Sequence, residues 1–114
     1  MNSTMMKEFT QNESGNWIRL NLIFPPNLED AITEALLSDA SLPGFTLLQA
    51  EGHGNDFSRA SISEQVRGRT DRRVLWIVIQ HQKLEGLLLK LKTQITSEDI
   101  RWWVEPVLAG GKLV

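Results

Sequence analysis

Apolar and polar residues alternate along the chain from Trp17 to Phe24. Successive side chains of a strand point to opposite sides of a sheet, so this alternation predicts a strand with one apolar face. The apolar positions are Ile18, Leu20, Leu22 and Phe24. Pro25-Pro26 ends the strand, because proline has no amide hydrogen to donate to a neighbouring strand.

The spacing of apolar residues then changes to that of a helix. Asn27 is a suitable N-cap, and Glu29 and Asp30 place negative charge in the first turn, where the helix dipole favours it. The apolar positions that form one helical stripe are Leu28, Ala31, Ile32, Ala35 and Leu36. Pro43-Gly44 breaks the helix, and a second strand is predicted from Phe45 to about Glu51.

The same order returns in the second half of the chain. Residues 74–79 are β-branched, aromatic or leucine, which predicts a third strand. A second helical stripe consists of Leu84, Leu87, Leu88 and Leu91. Residues 100–104 predict a fourth strand, which Pro106 ends.

The two halves match at a constant offset of 56 residues. Ile18, Leu20 and Leu22 then correspond to Val74, Trp76 and Val78, and the two helical stripes correspond as well. A duplicated βαβ unit gives an α+β fold of the ferredoxin-like βαββαβ type. We therefore predict a four-stranded antiparallel sheet with two helices on one face and the first and third strands in the middle.

The third strand is apolar at all six positions, although its two sets of side chains face opposite ways. The offset leaves Leu75, Ile77 and Ile79 on the face opposite to Val74, Trp76 and Val78. Exposure of either set would cost several kcal/mol at roughly 1.5–3 kcal/mol for each side chain. Two helices cover only one face, so we expect a symmetric homo-oligomer that buries the other. The alternative is that the amino-terminal tail or the long loop folds over it.

Composition fits one soluble domain. The 114 residues are 41% hydrophobic and 23% charged, with a net charge of −2 that argues against nucleic acid as a partner. Residues 1–15 are polar and predict a flexible tail, leaving residues 16–114 as the folded domain. That tail has no apolar run of the kind found in signal peptides, so we expect a cytoplasmic protein. The absence of cysteine excludes disulfides and thiolate metal sites.

The long loop predicted at about residues 52–72 is the most informative segment. About twenty residues without apolar periodicity are unusual inside so small a domain. The arginines of this region, which suit carboxylate or phosphate ligands, are Arg59, Arg67, Arg69, Arg72 and Arg73. The alternative is a solvated hairpin loop whose charges are partly neutralised by Asp56, Glu64 and Asp71.

A metal site is a second hypothesis. His53 lies between Glu51 and Asp56, and imidazole with carboxylates suits zinc, copper or nickel. His81 follows the third strand, but no His-x-His or His-x₃-His spacing supports either histidine. No pair of a nucleophile and a base is apparent, so we expect no catalytic residues and no enzymatic activity. The identity of any cofactor stays open.

Trp102 and Trp103 are adjacent on the fourth strand and must face opposite sides of the sheet. We expect one to pack against the helices and the other at a subunit interface, where aromatic residues are enriched.

Two short motifs stand at fixed places in this pattern. Gly52-His53-Gly54 closes the second strand, and residues 103–107 read Trp-Val-Glu-Pro-Val in the fourth. With the order of the elements, they resemble the PII-like proteins, which are related in fold to the CutA proteins. More narrowly, the chain from Trp17 to Val114 resembles a little-characterised PII-like family associated with bacterial heavy-metal efflux systems.

The resemblance implies a homotrimer whose sheets face inward, with ligand clefts between subunits at the base of a T-loop. Gly52, Gly54 and Asp56 would line such a cleft. The chain departs from the PII pattern at residues 93–99, which lack the Gly-Asp-Gly-Lys phosphate loop, and at residues 109–114, which lack the basic Arg-Thr-Gly segment. Both departures argue against ATP or ADP as the effector.

Two functions follow as hypotheses, beside a third option, a structural adaptor that binds no small ligand. The first is a PII-like trimeric regulatory protein that senses a small effector in the intersubunit cleft and signals to a protein partner, which the efflux association suggests is a membrane transporter. Its ligand residues would be His53 with the glycines, Asp56 and arginines named above. The alternative is a CutA-like metal-binding or metal-tolerance protein that uses His53, Glu51 and Asp56 for a divalent metal.

Overall fold

The strands form where the alternating patterns predict them. The computed structural model describes residues 16–54 and 70–114 of the chain. The strands are β1 (Trp17–Phe24), β2 (Thr46–Gly52), β3 (Thr70–Gln80) and β4 (Arg101–Pro106). They form one sheet in the order β2-β3-β1-β4, in which all neighbours pair antiparallel. The first and third strands are central, so the predicted ferredoxin-like α+β arrangement is confirmed.

Two helices, α1 (Glu29–Leu37) and α2 (Leu84–Gln94), pack against one face of this sheet. Their buried side chains complete the core with alternate residues of the two central strands. That core consists of Ile18, Leu20, Leu22, Phe24, Ile32, Ala35, Leu36, Leu75, Ile77, Ile79, Leu87, Leu91 and Ile95. The helical stripes were therefore predicted correctly, except that Ala31 is exposed.

The start of α1 differs from the prediction, because Asn27 is not its N-cap. Pro26–Leu28 form a 3₁₀ turn, closed by a 3.1 Å hydrogen bond from the Leu28 amide to the Pro25 carbonyl. The α-helix begins at Glu29, directly after this turn, and no side chain caps it. Proline fixes its own φ near the helical value, so Pro26 starts the turn without help from a capping side chain.

The internal repeat is present in the structure, but equivalent positions of the two halves are 55 residues apart instead of the predicted 56. Leu20 and Leu22 of β1 correspond to Leu75 and Ile77 of β3 as buried positions, and Ile32 corresponds to Leu87. The two 3₁₀ turns, Pro26–Leu28 and His81–Lys83, keep the same spacing. The helices therefore cover Leu75, Ile77 and Ile79, and the side chains that face away are Val74, Trp76 and Val78. The predicted faces of β3 were wrong.

β3 begins at Thr70, four residues before the predicted strand. Its pairing with β1 ends at Arg73, opposite Phe24, whereas its pairing with β2 continues to Thr70, opposite Gly52. The first three residues of β3 thus form a two-stranded ribbon with the end of β2. Arg72 and Arg73, which were predicted to lie in or at the end of the loop, lie on this strand.

Trp102 and Trp103 lie on opposite faces of β4, as predicted. Trp102 pairs with Leu22 and lies on the helix side, where it lines a shallow groove with Leu88 and Ile95 of the α2 region. Trp103 pairs with Asn21 on the other side. Within the described residues, no helix is both long and apolar enough to span a membrane.

Candidate functional site

The face of the sheet turned away from the helices carries a continuous row of side chains across all four strands. Thr46, Trp76, Asn21 and Trp103 are register partners in turn, and directly opposed residues project to the same side. We call this side the open face. Its residues are Trp17, Arg19, Asn21, Ile23, Thr46, Leu48, Ala50, Arg72, Val74, Trp76, Val78, Gln80, Arg101, Trp103 and Glu105.

The open face has an apolar half and a polar half. On β2 and β3 it presents Leu48, Val74, Trp76 and Val78, each only half-buried in the single chain. Ile23 of β1 extends this apolar area, because it is the register partner of Val74. Large apolar areas that a monomer leaves accessible mark interaction sites. The apolar half is therefore suited to contact another molecule.

The polar half is organised around the carboxylate of Glu105. Its Oε1 atom accepts hydrogen bonds from Asn21 Nδ2 at 2.9 Å, Arg19 Nη2 at 3.1 Å and Trp103 Nε1 at 3.2 Å. We call these four residues the Glu105 cluster. Asn21 is 1% exposed and also donates to the Trp103 carbonyl oxygen at 3.4 Å. The cluster therefore joins the two strands β1 and β4 by side chains as well as by backbone.

The Glu105 cluster also reaches β3 through Arg19. The guanidinium carbon of Arg19 lies 4.5 Å from the centre of the Trp76 ring, a distance at which the cation is attracted to the aromatic face. Arg19 is thereby held between a carboxylate and an indole. This arrangement fixes the conformation of a long side chain in the middle of the open face.

The pKa of Glu105 reports on the cluster. The hydrogen bond from Arg19, with a further one from Trp103, holds the pKa of the Glu105 carboxyl below its ordinary value of 4.5. A lowered pKa means that the fold favours the ionised form. The contribution of this carboxylate to stability is therefore fully present above pH 4.5 and is lost as the pH falls through the pKa of the folded state.

We expect Arg19→Met to raise the pKa of Glu105 toward its ordinary value, because the largest cause of the shift is removed. A carbon-detected NMR titration of the Glu105 carboxyl measures this change. Lys92→Met, which removes a positive charge from the helix side, serves as the control and leaves the Glu105 pKa where it is. An unchanged pKa in Arg19→Met would contradict the hydrogen-bonded geometry.

The two-stranded ribbon ends at Gly52 and Thr70, where the predicted long loop begins and ends. We call this end of the ribbon the mouth of the loop. β2 ends at Gly52, which is buried, and Gly54 has a φ of +101°. This left-handed conformation is open to glycine and strained for other residues. The Gly-His-Gly sequence is thus a strand exit, as the sequence indicated.

An ion pair ties the base of the ribbon to the first helix. Arg73 Nε lies 2.9 Å from Glu29 Oε1, and both side chains are partly buried. Arg73 also borders a shallow pocket of about 300 Å³ with Gln49, Glu51 and Asp71. Glu51 and Asp71 are register partners on the same side of the ribbon. The mouth of the loop therefore presents mixed charge on the helix side.

A family model matches residues 14–114 of the chain and is described as a protein of unknown function (DUF3240). The chain belongs to the DUF3240 family. Among solved structures it is similar to a DUF3240 family protein from Shewanella baltica OS155, with a TM-score of 0.71 and 21% identity. That similarity covers 87% of this chain and 98% of the other, and at this identity it shows a shared fold. No curated protein matches the chain.

Some of the predicted ligand residues of this DUF3240 protein lie among the residues that the structure describes. Gly52, His53 and Gly54 lie together at the end of β2, and Arg72 and Arg73 lie on β3. Arg72 is 7% exposed, and its Nη1 donates to the Asp71 carbonyl oxygen at 2.8 Å. The other predicted ligand residues, which are Asp56, Arg59, Arg67 and Arg69, lie outside the described residues, as does the tail of residues 1–15.

Of the predicted metal ligands, the structure brings two together. His53 Nε2 lies 3.6 Å from Glu51 Oε2, and both side chains are largely exposed. The third, Asp56, is not among the described residues. Within residues 16–54 and 70–114, no group of three or more histidine or carboxylate side chains is arranged to hold a metal ion. His81 begins the 3₁₀ turn after β3, far along the strand from His53.

Sequence reasoning on this DUF3240 chain missed the Glu105 cluster. Arg19 and Asn21 occupy alternate positions of β1, and alternation by itself predicts only that polar residues face solvent. The available signal was their place on a central strand: two polar residues in the middle of an otherwise apolar sheet need partners. Glu105, at the corresponding level of β4, is the residue that supplies them.

Proposed function

We propose that this DUF3240 protein is a PII-like, non-enzymatic regulatory module that works as a homotrimer in the cytoplasm. Small effectors would bind in clefts between subunits, at the mouth of the long loop. The loop would then change its contacts with a protein partner, which the PII-like resemblance suggests is a membrane transporter. Nucleic acid has no part in this proposal.

One observation carries the proposal: the open face is apolar along β3, on the side that the chain's own helices leave uncovered. Val74, Trp76 and Val78 are each only half-buried there. Burial of such side chains provides roughly 1.5–3 kcal/mol each, which drives association. Closed rings are the usual outcome for identical subunits. A ring that buries the open faces also brings the loop mouths next to neighbouring subunits.

The loop mouth supplies the features that an intersubunit cleft needs. Gly54 has a φ of +101° just after β2, and the ribbon beside it carries Arg72 and Arg73 on opposite sides. Guanidinium groups bind carboxylate and phosphate oxygens. Arg73 is paired with Glu29 on the helix side, and Arg72 lies on the opposite side of the ribbon, so an anionic effector between subunits would meet a guanidinium group from either side.

A ligand switches the loop only if it binds two loop conformations unequally. A ligand that binds the folded chain also raises its melting temperature. We therefore expect native mass spectrometry to detect a trimer. In a thermal-shift screen, we expect one class of anionic metabolite to raise the melting temperature. A monomer at micromolar concentration would overturn the proposal. A higher melting temperature with nucleotides or with bicarbonate would identify the class of effector.

The second candidate is a CutA-like metal-binding protein, which the proximity of His53 to Glu51 favours. Zinc, copper, nickel and cobalt form further arms of the same thermal-shift screen. A metal-dependent rise that a chelator reverses, and that His53→Ala abolishes, would support this candidate over the first. Control variant His81→Ala keeps the rise, because His81 lies at the opposite end of β3.

A further inference from the structure

The open face carries a carboxylate whose hydrogen bonds, among residues 16–54 and 70–114, all fall on one of its two oxygens. All three donors of the Glu105 cluster bond to the same oxygen of Glu105, Oε1. The other oxygen, Oε2, accepts no hydrogen bond from any residue that the structure describes. The Glu105 side chain is 45% exposed.

Burial changes the energetics of that oxygen. When a partner covers the open face, an ionised carboxylate oxygen loses water and must gain a donor, or association becomes costly. Apolar contacts along β3 give affinity but little direction, whereas a polar group at one position fixes how two surfaces are aligned. The free oxygen of Glu105 therefore discriminates between possible arrangements of the partner.

The open face fits a second copy of this chain. Eight residues of β1 and four strand widths give a face of roughly 26 by 19 Å, or about 500 Å² in projection. This is of the same order as the ~800 Å² that each partner buries in a standard interface. The face also carries a guanidinium and a carboxylate side by side, Arg19 and Glu105, so one copy offers both the donor and the acceptor types that another copy needs.

We propose that Glu105 is a specificity-determining residue of the self-association surface: its Oε2 atom accepts a hydrogen bond from a second copy of the chain and sets the alignment of the subunits. Arg19, Asn21 and Trp103 are positioning residues, because they hold the carboxylate through Oε1. This inference rests on the proposed homo-oligomer and adds to it the polar contact that selects one arrangement.

Glu105→Gln tests the inference. Glutamine retains one carbonyl oxygen for Arg19, Asn21 and Trp103, but it replaces the second oxygen with an NH₂ group that cannot accept a hydrogen bond. We expect the dissociation constant of each interface to rise about 10- to 100-fold, as for the loss of a charge-assisted hydrogen bond. Sedimentation equilibrium measures the constant, and far-UV circular dichroism verifies that the variant is folded.

Glu34→Gln is the matched control, since it removes an exposed carboxylate from α1 on the helix side and leaves association unchanged. A wild-type oligomer whose Glu105→Gln variant associates equally tightly would overturn the role of Glu105 while leaving the proposed function intact. A wild-type monomer would overturn the proposed function and this inference with it. Weaker association, or a mixture of stoichiometries, in Glu105→Gln alone would support the inference.

Discussion

Replacing Ile77 with alanine lowers the free energy of unfolding by about 2–5 kcal/mol, the usual loss when a large aliphatic side chain is removed from a core. Ile77 is 1% exposed and lies under the helices in the centre of the sheet. A domain of this size is stable by only ~5–15 kcal/mol, so this one change removes a large share of its stability. Urea unfolding followed by circular dichroism measures the loss.

Val78→Ala is the control for Ile77→Ala, since the two residues are neighbours on opposite faces of β3. Val78 is half-buried in the single chain, and we expect its truncation to cost about 1 kcal/mol at protein concentrations low enough to suppress association. Equal losses in the two variants would mean that the helices do not distinguish the two faces of β3.

The second large effect concerns association. Val74→Asp places a carboxylate in the apolar row that Val74 shares with Ile23 and Leu48. The variant loses apolar burial and leaves an unpaired charge at the interface, so we expect association to weaken at least about 100-fold. Native mass spectrometry at micromolar concentration then detects monomers with an intact fold.

Leu89→Asp is a matched substitution on the helix side. Leu89 is 59% exposed on α2, so the same change of side chain there affects neither folding nor association. If Leu89→Asp dissociates the oligomer and Val74→Asp does not, the subunits associate through the helices. The open face would then need another explanation.

The fold could be predicted from sequence because its elements have strong and different periodicities. Apolar residues of β1 alternate at a period of two, and those of the helices recur every three or four residues. Each of these patterns fits only one type of secondary structure. β3 differs: all six residues from Val74 to Ile79 are apolar, and residue type cannot tell its two faces apart. The one-residue error in the repeat followed from this, because matching by residue type paired Leu20 with Trp76 instead of Leu75.

The candidate site was less accessible to sequence reasoning. Gly52 and Gly54 could be recognised, because glycine pairs at strand ends have a local conformational cause. The Glu105 cluster depends on the register between β1 and β4, which sets Arg19 beside Glu105 across 86 positions of sequence. No local pattern encodes that register. It follows from the packing of the whole sheet.

The two-stranded ribbon at the start of β3 has a mechanical consequence. Beyond Arg73, residues 70–72 of β3 have register partners on β2 and none on β1. Arg73 is the last residue of β3 in this direction that pairs with both β1 and β2, and its ion pair with Glu29 adds α1 to the same junction. A change in the position of Thr70 is therefore passed to β2 before it reaches β1, and the junction at Arg73 is where it would meet the rest of the domain.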